Sequence, residues 1–236
     1  MEKSKFQSFI NRYYLGGNCE AVKLVSNDDN IMCELIDNDQ TVVGNIKWQN
    51  TPFAQGDLGI NHTGGLIKML SAVGEDINIT VKDNNGKNYA MEIQEGKTKM
   101  TFMLADTTII PAVPTINAEP DYNVTINIDD EFINKFIKAK NALPDAKNFA
   151  VQIKNGNIIF IINYTTINAD NIYFEVGTTD SNDMQPICFS ADKLKEILTA
   201  NRGDAGRILI SPDGLSRVEF AGHDFESKYW LVQLQN

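Results

Sequence analysis

An α+β chain made of two copies of one unit is what this sequence predicts, and three observations carry the prediction. Short β-branched runs bounded by Asn/Asp clusters alternate with a few stretches of helical periodicity. The order helix, strands, helix, hairpin, strand occurs twice. A stretch with Pro111, Pro114 and Pro120 separates the two passes, where ladder donors are missing and the preceding residues are restricted. The spans that follow are 1–108 for the first domain, 109–122 for an extended connector and 123–236 for the second domain, each with two helices on antiparallel sheet.

The first helix is expected over Lys3 to Tyr14, where Phe6, Phe9, Ile10 and Tyr13 form one stripe, Ser4 stands at the cap and Gly16-Gly17 ends the run. Strands follow over Glu20–Val25, Ile31–Ile36 and Thr41–Trp48, with turns at 27–30 and 38–39. A second helix spans about Thr63 to Val73, its first turn weakened by Gly64 and Gly65. Ile77–Val81 and Asn88–Ile93 form a hairpin across Asp83-Asn84-Asn85-Gly86, and Thr98–Leu104 is a further strand.

The second pass starts with a strand at Val124–Ile128 and a helix at Glu131–Leu143, led by Asp129 and Asp130 and stopped by Pro144. Strands are expected at Phe149–Ile153 and Asn157–Asn163 across Asn155-Gly156, then at Asn171–Val176. Ser190 caps a helix over Asp192–Asn201, with Gly203 beyond it. Arg207–Ile210, Ser216–Ala221 and Tyr229–Leu234 close the chain. At an offset of 128 residues Leu66 meets Leu194, Leu70 meets Leu198, Gly86 meets Gly214 and Phe102 meets Trp230. The first helices match at 127, Phe6 with Ile133 and Ile10 with Ile137, so the register is that of an internal duplication.

Composition narrows the function. With 42% hydrophobic and 22% charged residues among 236, the chain is a folded protein and not a disordered one. No run approaches the length of a membrane span, and Met1 to Ile10 lacks the apolar centre of a secretion signal, so an intracellular, membrane-free location is expected. Cys19, Cys33 and Cys188 are too few for a disulfide framework and read as buried small hydrophobes. His62 and His223 have no metal-spaced partner; the pairs Asp28-Asp29 and Asp37 with Asp39 are explained by turn chemistry. No phosphate-binding loop or nucleophile elbow is present, so no cofactor, metal or catalytic residue is expected, and no enzymatic activity.

The charge is unevenly placed. Acids outnumber bases 31 to 21, for a net charge of -10, which excludes a uniformly basic nucleic-acid binder. The four helix windows nevertheless hold ten bases against six acids, leaving eleven against twenty-five elsewhere. In the helix from Glu131 the acids crowd the first turn, so its body is basic. Lysines on helices, without bidentate arginine readout, suit contact with a phosphate backbone irrespective of sequence. Helix propensity alone accounts for single lysines; the joint pattern favours a basic face in an acidic protein.

The duplicated unit with two helices per copy, the proline-bearing connector and the basic helices resemble the DNA sliding clamps. The resemblance spans essentially the whole chain. Its most telling segments are Leu66 to Val73 running into Gly74-Glu75-Asp76, the run Phe189-Ser190-Ala191-Asp192-Lys193-Leu194, and the terminus Val218 to Leu234. Length and domain count are nearest to the processivity clamp of T4-like bacteriophages. The resemblance implies a DNA-clamp fold and a head-to-tail homotrimeric ring whose helices face double-stranded DNA. It also implies tethering of the replicative DNA polymerase, placement by an ATP-driven clamp loader, and residence in the cytoplasm of an infected bacterial host. Carried over by position, the DNA-facing residues are Lys5, Arg12, Lys68, Lys135, Lys138, Lys193, Lys195 and Arg202, with Lys3 and Lys140 weaker. The partner-peptide pocket maps to Ile109–Ile116 and the terminal strand, with Val113, Pro114 and Leu231 in its wall. Two rival readings stay open: a phage virion or assembly protein that encircles no DNA, and an enzyme with dispersed carboxylates in a deep pocket.

Overall fold

The computed structural model describes residues 1–235 apart from 28, 52, 54, 55, 117 and 168. The chain divides into two units: Met1–Pro114 with His223–Ser227, and Thr115–Gly222 with Lys228–Asn236.

In the first unit, α1 (Lys3–Tyr14) precedes β1 (Val22–Ser26), β2 (Asn30–Ile36), β3 (Val42–Gln49) and β4 (Gly56–Ile60). Then come α2 (Thr63–Leu70) and β5 (Asn78–Asn84), β6 (Lys87–Glu95) and β7 (Thr98–Met103). The strands lie in the orders β4-β1-β2-β3 and β5-β6-β7, every pair antiparallel. The alternation is strict in β3, whose Val42, Gly44, Ile46 and Trp48 all face inward. Phe6 and Phe9 of α1 meet the Trp48 ring at 6.3 and 5.6 Å, so the helix stripe and the strand's inner face close one aromatic core. Fully burying each such side chain contributes on the order of 1.5–3 kcal/mol.

The second unit repeats the plan. It holds β8 (Val124–Ile128), α3 (Asp130–Ala142), β9 (Asn148–Lys154), β10 (Asn157–Ile162), β11 (Ile172–Thr178) and β12 (Met184–Ser190). These are followed by α4 (Ala191–Ala200), β13 (Ala205–Ile210), β14 (Leu215–Ala221) and most of β15 (Phe225–Val232). The orders are β12-β9-β10-β11 and β8-β13-β14-β15. Shifted by 128, α2 falls on α4, β4 on β12, and β5-β6-β7 on β13-β14-β15. The one strand without a full counterpart is β8. Its place beside β5 is taken by Met1 and Glu2: the Met1 ammonium donates to the Ile77 carbonyl at 2.6 Å, and Glu2 bridges Asp76. Phe132 and Phe136 of α3 pack against Phe149, Phe160 and Phe189 of the sheet, directly or through one another, as a cluster of phenylalanine rings within the core.

Turn chemistry follows the sequence. Asn85-Gly86 and Asn155-Gly156 both take positive φ at each position, the geometry of a two-residue hairpin turn. Two strands depart from expectation: β4 and β12, the strand before the second helix of each unit. In β4 the glycines hide the pattern, yet one is required, since a Cβ on Gly59 would fall 2.4 Å from the Ala105 carbonyl oxygen. In β12, Pro186 sits inside a register shift between Met184 and Ile187 on an edge strand, where its missing N–H is tolerated. Ser4 is not the cap of α1: that role passes to Glu75, whose carbonyl accepts from Lys3 N at 2.7 Å and whose carboxylate accepts from Ser4 N at 2.8 Å.

Candidate nucleic-acid interface

The helices of the second unit carry the most open cations. Asp129 accepts from Phe132 N at 2.8 Å and Ser190 from Lys193 N at 3.4 Å, so α3 and α4 start on their own caps. Their apolar stripes turn into the phenylalanine core, and this leaves Lys135, Lys138 and Arg202 exposed and Lys195 half-buried. Two of these cations are held by neutral partners. Lys195 Nζ donates to Asn141 Oδ1 and Arg202 Nη2 to Asn134 Oδ1, each at 2.9 Å. Lys135 Nζ stands 5.2 Å from the Phe174 ring centroid. An amide orients a cation without cancelling its charge, so these helices present positive charge held in place. Asn134 and Asn141 were not among the expected site residues. Their spacing with Lys138, at i, i+4 and i+7, is the signal that could have found them.

Other expected cations are spent within the fold. Arg12 is 3% exposed; Nη1 donates to the Ser8 carbonyl at 2.9 Å and its guanidinium lies 4.1 Å from the Phe225 ring centroid. Lys193 is 7% exposed. Contrary to expectation, neither faces a duplex: a buried, packed cation has no reach to its phosphates. Lys140, already placed as weaker, is buried and pairs with Asp192 at 2.9 Å and the Pro144 carbonyl at 2.8 Å. Lys3 donates to the Val73 carbonyl. Lys5 pairs with Asp224 at 3.0 Å, which raises its ammonium above the ordinary range. Asp224 is held below the usual carboxylate range by His223 first and Lys5 second. Lys68 is exposed on α2.

The glycines of α2 have a local reason. Gly64 N donates to Glu20 Oε2 at 2.9 Å, and a Cβ on Gly64 would fall 2.8 Å from the Tyr14 hydroxyl. The glycine therefore lets an internal carboxylate sit on the helix N-terminus, where the dipole favours it.

Among the described residues no group of His, Cys, Asp or Glu could hold a metal ion. Asp37 accepts from Thr41 N at 2.7 Å and Val42 N at 2.9 Å, the turn role expected of it; Asp28 lies outside the described residues. The three cysteines are buried thiols outside any disulfide, and burial pushes the Cys33 thiol well up. No described helix is long and apolar enough to cross a membrane. Of the expected pocket residues, Val113 and Pro114 belong to the first unit and Leu231 to the second. Leu231 is 1% exposed, so it is a core residue and not a groove wall.

No protein-family sequence model matches the chain, and no curated protein matches it in sequence. Solved structures do match in fold. The A. fulgidus PCNA with the C-terminal region of FEN-1 bound gives a TM-score of 0.78 at 14% identity, covering 100% of this chain and 97% of that one. The PCNA2-PCNA3 complex of Sulfolobus tokodaii gives 0.74 at 9%, covering 99% and 97%. Proliferating Cellular Nuclear Antigen of Entamoeba histolytica gives 0.74 at 14%, covering 99% and 96%. The chain thus has the two-domain α+β fold of the PCNA-type clamps over its full length.

Proposed function

We propose that this chain is a sliding clamp: a non-catalytic ring that encircles double-stranded DNA without sequence preference and tethers a replicative DNA polymerase. One observation carries the reading. In the first unit β3 is flanked by Phe225–Ser227 of β15, with Gln49 N donating to the Asp224 carbonyl at 2.8 Å. The duplication makes β11 the equivalent of β3, and β7 the equivalent of β15. Both β11 and β7 are end members of their sheets. A second copy supplying β7 to β11 would repeat the pairing that β3 makes with Phe225–Ser227 in the first unit. Because the two edges differ, the contact is head to tail, the kind from which closed rings are built. It also removes two exposed strand edges.

Lys135, Lys138, Lys195 and Arg202 of the second unit, with Lys68 in the first, then form the DNA-facing set. Their long, flexible ammonium groups hold a polyanion loosely enough for it to slide. An ATP-driven loader is the further partner this reading requires, and partner peptides of the kind bound by the A. fulgidus protein would dock beside the connector near Val113 and Pro114. The narrower part of the proposal is a T4-like phage origin, with action in the cytoplasm of an infected bacterium.

The test is the absolute mass in solution by light scattering across concentration. A species of three chains of 26.3 kDa, about 79 kDa, is expected. A monomer at every concentration would remove the ring and the function built on it.

A further inference from the structure

In the first unit the pairing of β3 with Phe225–Ser227 carries an ion pair beside its hydrogen bonds. Gln49 N donates to the Asp224 carbonyl at 2.8 Å, and the Asp224 carboxylate pairs at 3.0 Å with Lys5, in the first turn of α1. The duplication identifies the residues that hold these positions at the two free edges. Matched by their inward faces, Met100 and Phe102 of β7 fall on Ser227 and Tyr229 of β15, an offset of 127. Met91 and Ile93 of β6 fall on Val218 and Phe220 of β14 at the same offset. Lys97, in the turn between β6 and β7, is therefore the counterpart of Asp224. On the other edge Phe174 and Val176 of β11 fall on Ile46 and Trp48 of β3, and the start of α3 answers to the start of α1.

The polarity at these free edges is inverted. Where α1 offers Lys5 to a carboxylate, the start of α3 offers carboxylates: Asp129, Glu131 and Glu175 line a cavity of about 200 Å³ with Phe132 and Val176. Lys135 also lines it, with its ammonium over the Phe174 ring, so the lining stays net negative. Asp129 is engaged as the cap of α3. Glu131, Glu175 and Lys97 are exposed, and among the described residues none of the three has an ion-pair partner. We infer that Lys97 of one copy enters this cavity on the next copy and pairs there with Glu131 and Glu175, a charge lock that selects which edges meet. The inference rests on the head-to-tail pairing of β7 with β11 proposed above and adds what backbone pairing cannot supply. Main-chain hydrogen bonds are the same on every strand edge, so they do not distinguish one edge from another. Opposite charges do. A second copy that brought its Asp224 turn to α3 would set carboxylate against carboxylate, and one that brought Lys97 to α1 would set ammonium against Lys5. Both wrong joints are repelled and the right one is attracted.

The experiment is sedimentation equilibrium on the intact chain, on Lys97→Glu, on Glu131→Lys with Glu175→Lys, and on all three substitutions combined. Lys97→Glu turns attraction into repulsion at every joint and should raise the subunit dissociation constant about tenfold. The two reversals on the acidic side should do the same, and the combined variant should return to within about threefold of the unaltered chain. The differences should largely vanish near about 1 M salt, where the Debye length is about 3 Å. Glu131 stands in the first turn of α3, so its reversal also weakens that helix start. Lys97→Glu, in the other unit, cannot repair such a defect, so rescue by the combination reports the ion pair and not the fold. An unchanged dissociation constant in Lys97→Glu, or a combined variant weaker than either parent, would overturn the charge lock while leaving the ring in place. A monomeric unaltered chain at every concentration would instead remove the ring itself, and the lock with it.

Discussion

At the scale of single residues, the basic side chains fall into two groups that the sequence does not separate. Lys135 and Lys138 are exposed, whereas Arg12 is buried against Phe225 and Ser8. Lys135→Ala with Lys138→Ala should therefore lower the salt dependence of binding to a short duplex, by up to about 1.8 in the log–log slope. Fluorescence anisotropy from about 50 to 200 mM salt measures it. Arg12→Met should leave that slope unchanged but cost about 2 kcal/mol in urea unfolding, through the lost ring contact and hydrogen bonds. Equal effects of both variants on the slope would place Arg12 on the DNA side after all. The exposed half of the site was legible because a helical wheel fixes which side a residue leaves from. The buried half was not: Arg12 lies four residues from Ser8 but is covered by Phe225, more than two hundred positions away, and Lys140 is claimed by Asp192. Asn134 and Asn141 were missed because an amide beside a lysine reads as solvent-facing filler until its partner, Lys195 on α4 or Arg202 just beyond it, is known.

At the scale of elements, the two units start their helices in different ways. In the second unit the caps are local, Asp129 and Ser190, and both were legible; either one changed to alanine should cost about 1 kcal/mol. In the first unit both helix starts rest on carboxylates from elsewhere, Glu75 for α1 and Glu20 for α2, which no local window reveals. The same limit hid β4 and β12, whose glycines and proline are tolerated only because of the neighbours that they meet. The Glu75 arrangement has a pH signature. The Ser4 donors, aided by Lys3, hold the Glu75 carboxyl below its ordinary range. A depressed folded pKa means stability that is complete above the unfolded carboxylate pKa, near about 4.3, and is lost as pH falls through the folded value. Glu75→Gln should thus lower the melting temperature at pH 7, and the gap to the unaltered chain should close as the solution is taken below about pH 4. A gap of constant size down to the lowest pH would show that the carboxylate charge contributes nothing to α1.

At the scale of the whole molecule, an acidic chain with basic helices is stable in solution as an open monomer only if its loose sheet edges stay unpaired. Two features argue that they do not. Among the described residues the strands β7 and β11 each lack a neighbour on one side, and each carries a large apolar side chain in the open: Met103, 62% exposed, and Tyr173, 72% exposed. Charged residues on edge strands are the usual guard against unwanted pairing, and these two positions have the opposite chemistry. Neither side chain supports its own unit's core, so Met103→Asp with Tyr173→Asp should leave the circular dichroism spectrum unchanged. If the edges meet between copies, the double variant places like charges on both sides of each joint. The mass by light scattering should then fall from about 79 kDa toward the 26.3 kDa of one chain. Retention of the larger mass by a folded double variant would move the joint away from β7 and β11, and with it the inference that the internal duplication prefigures the ring.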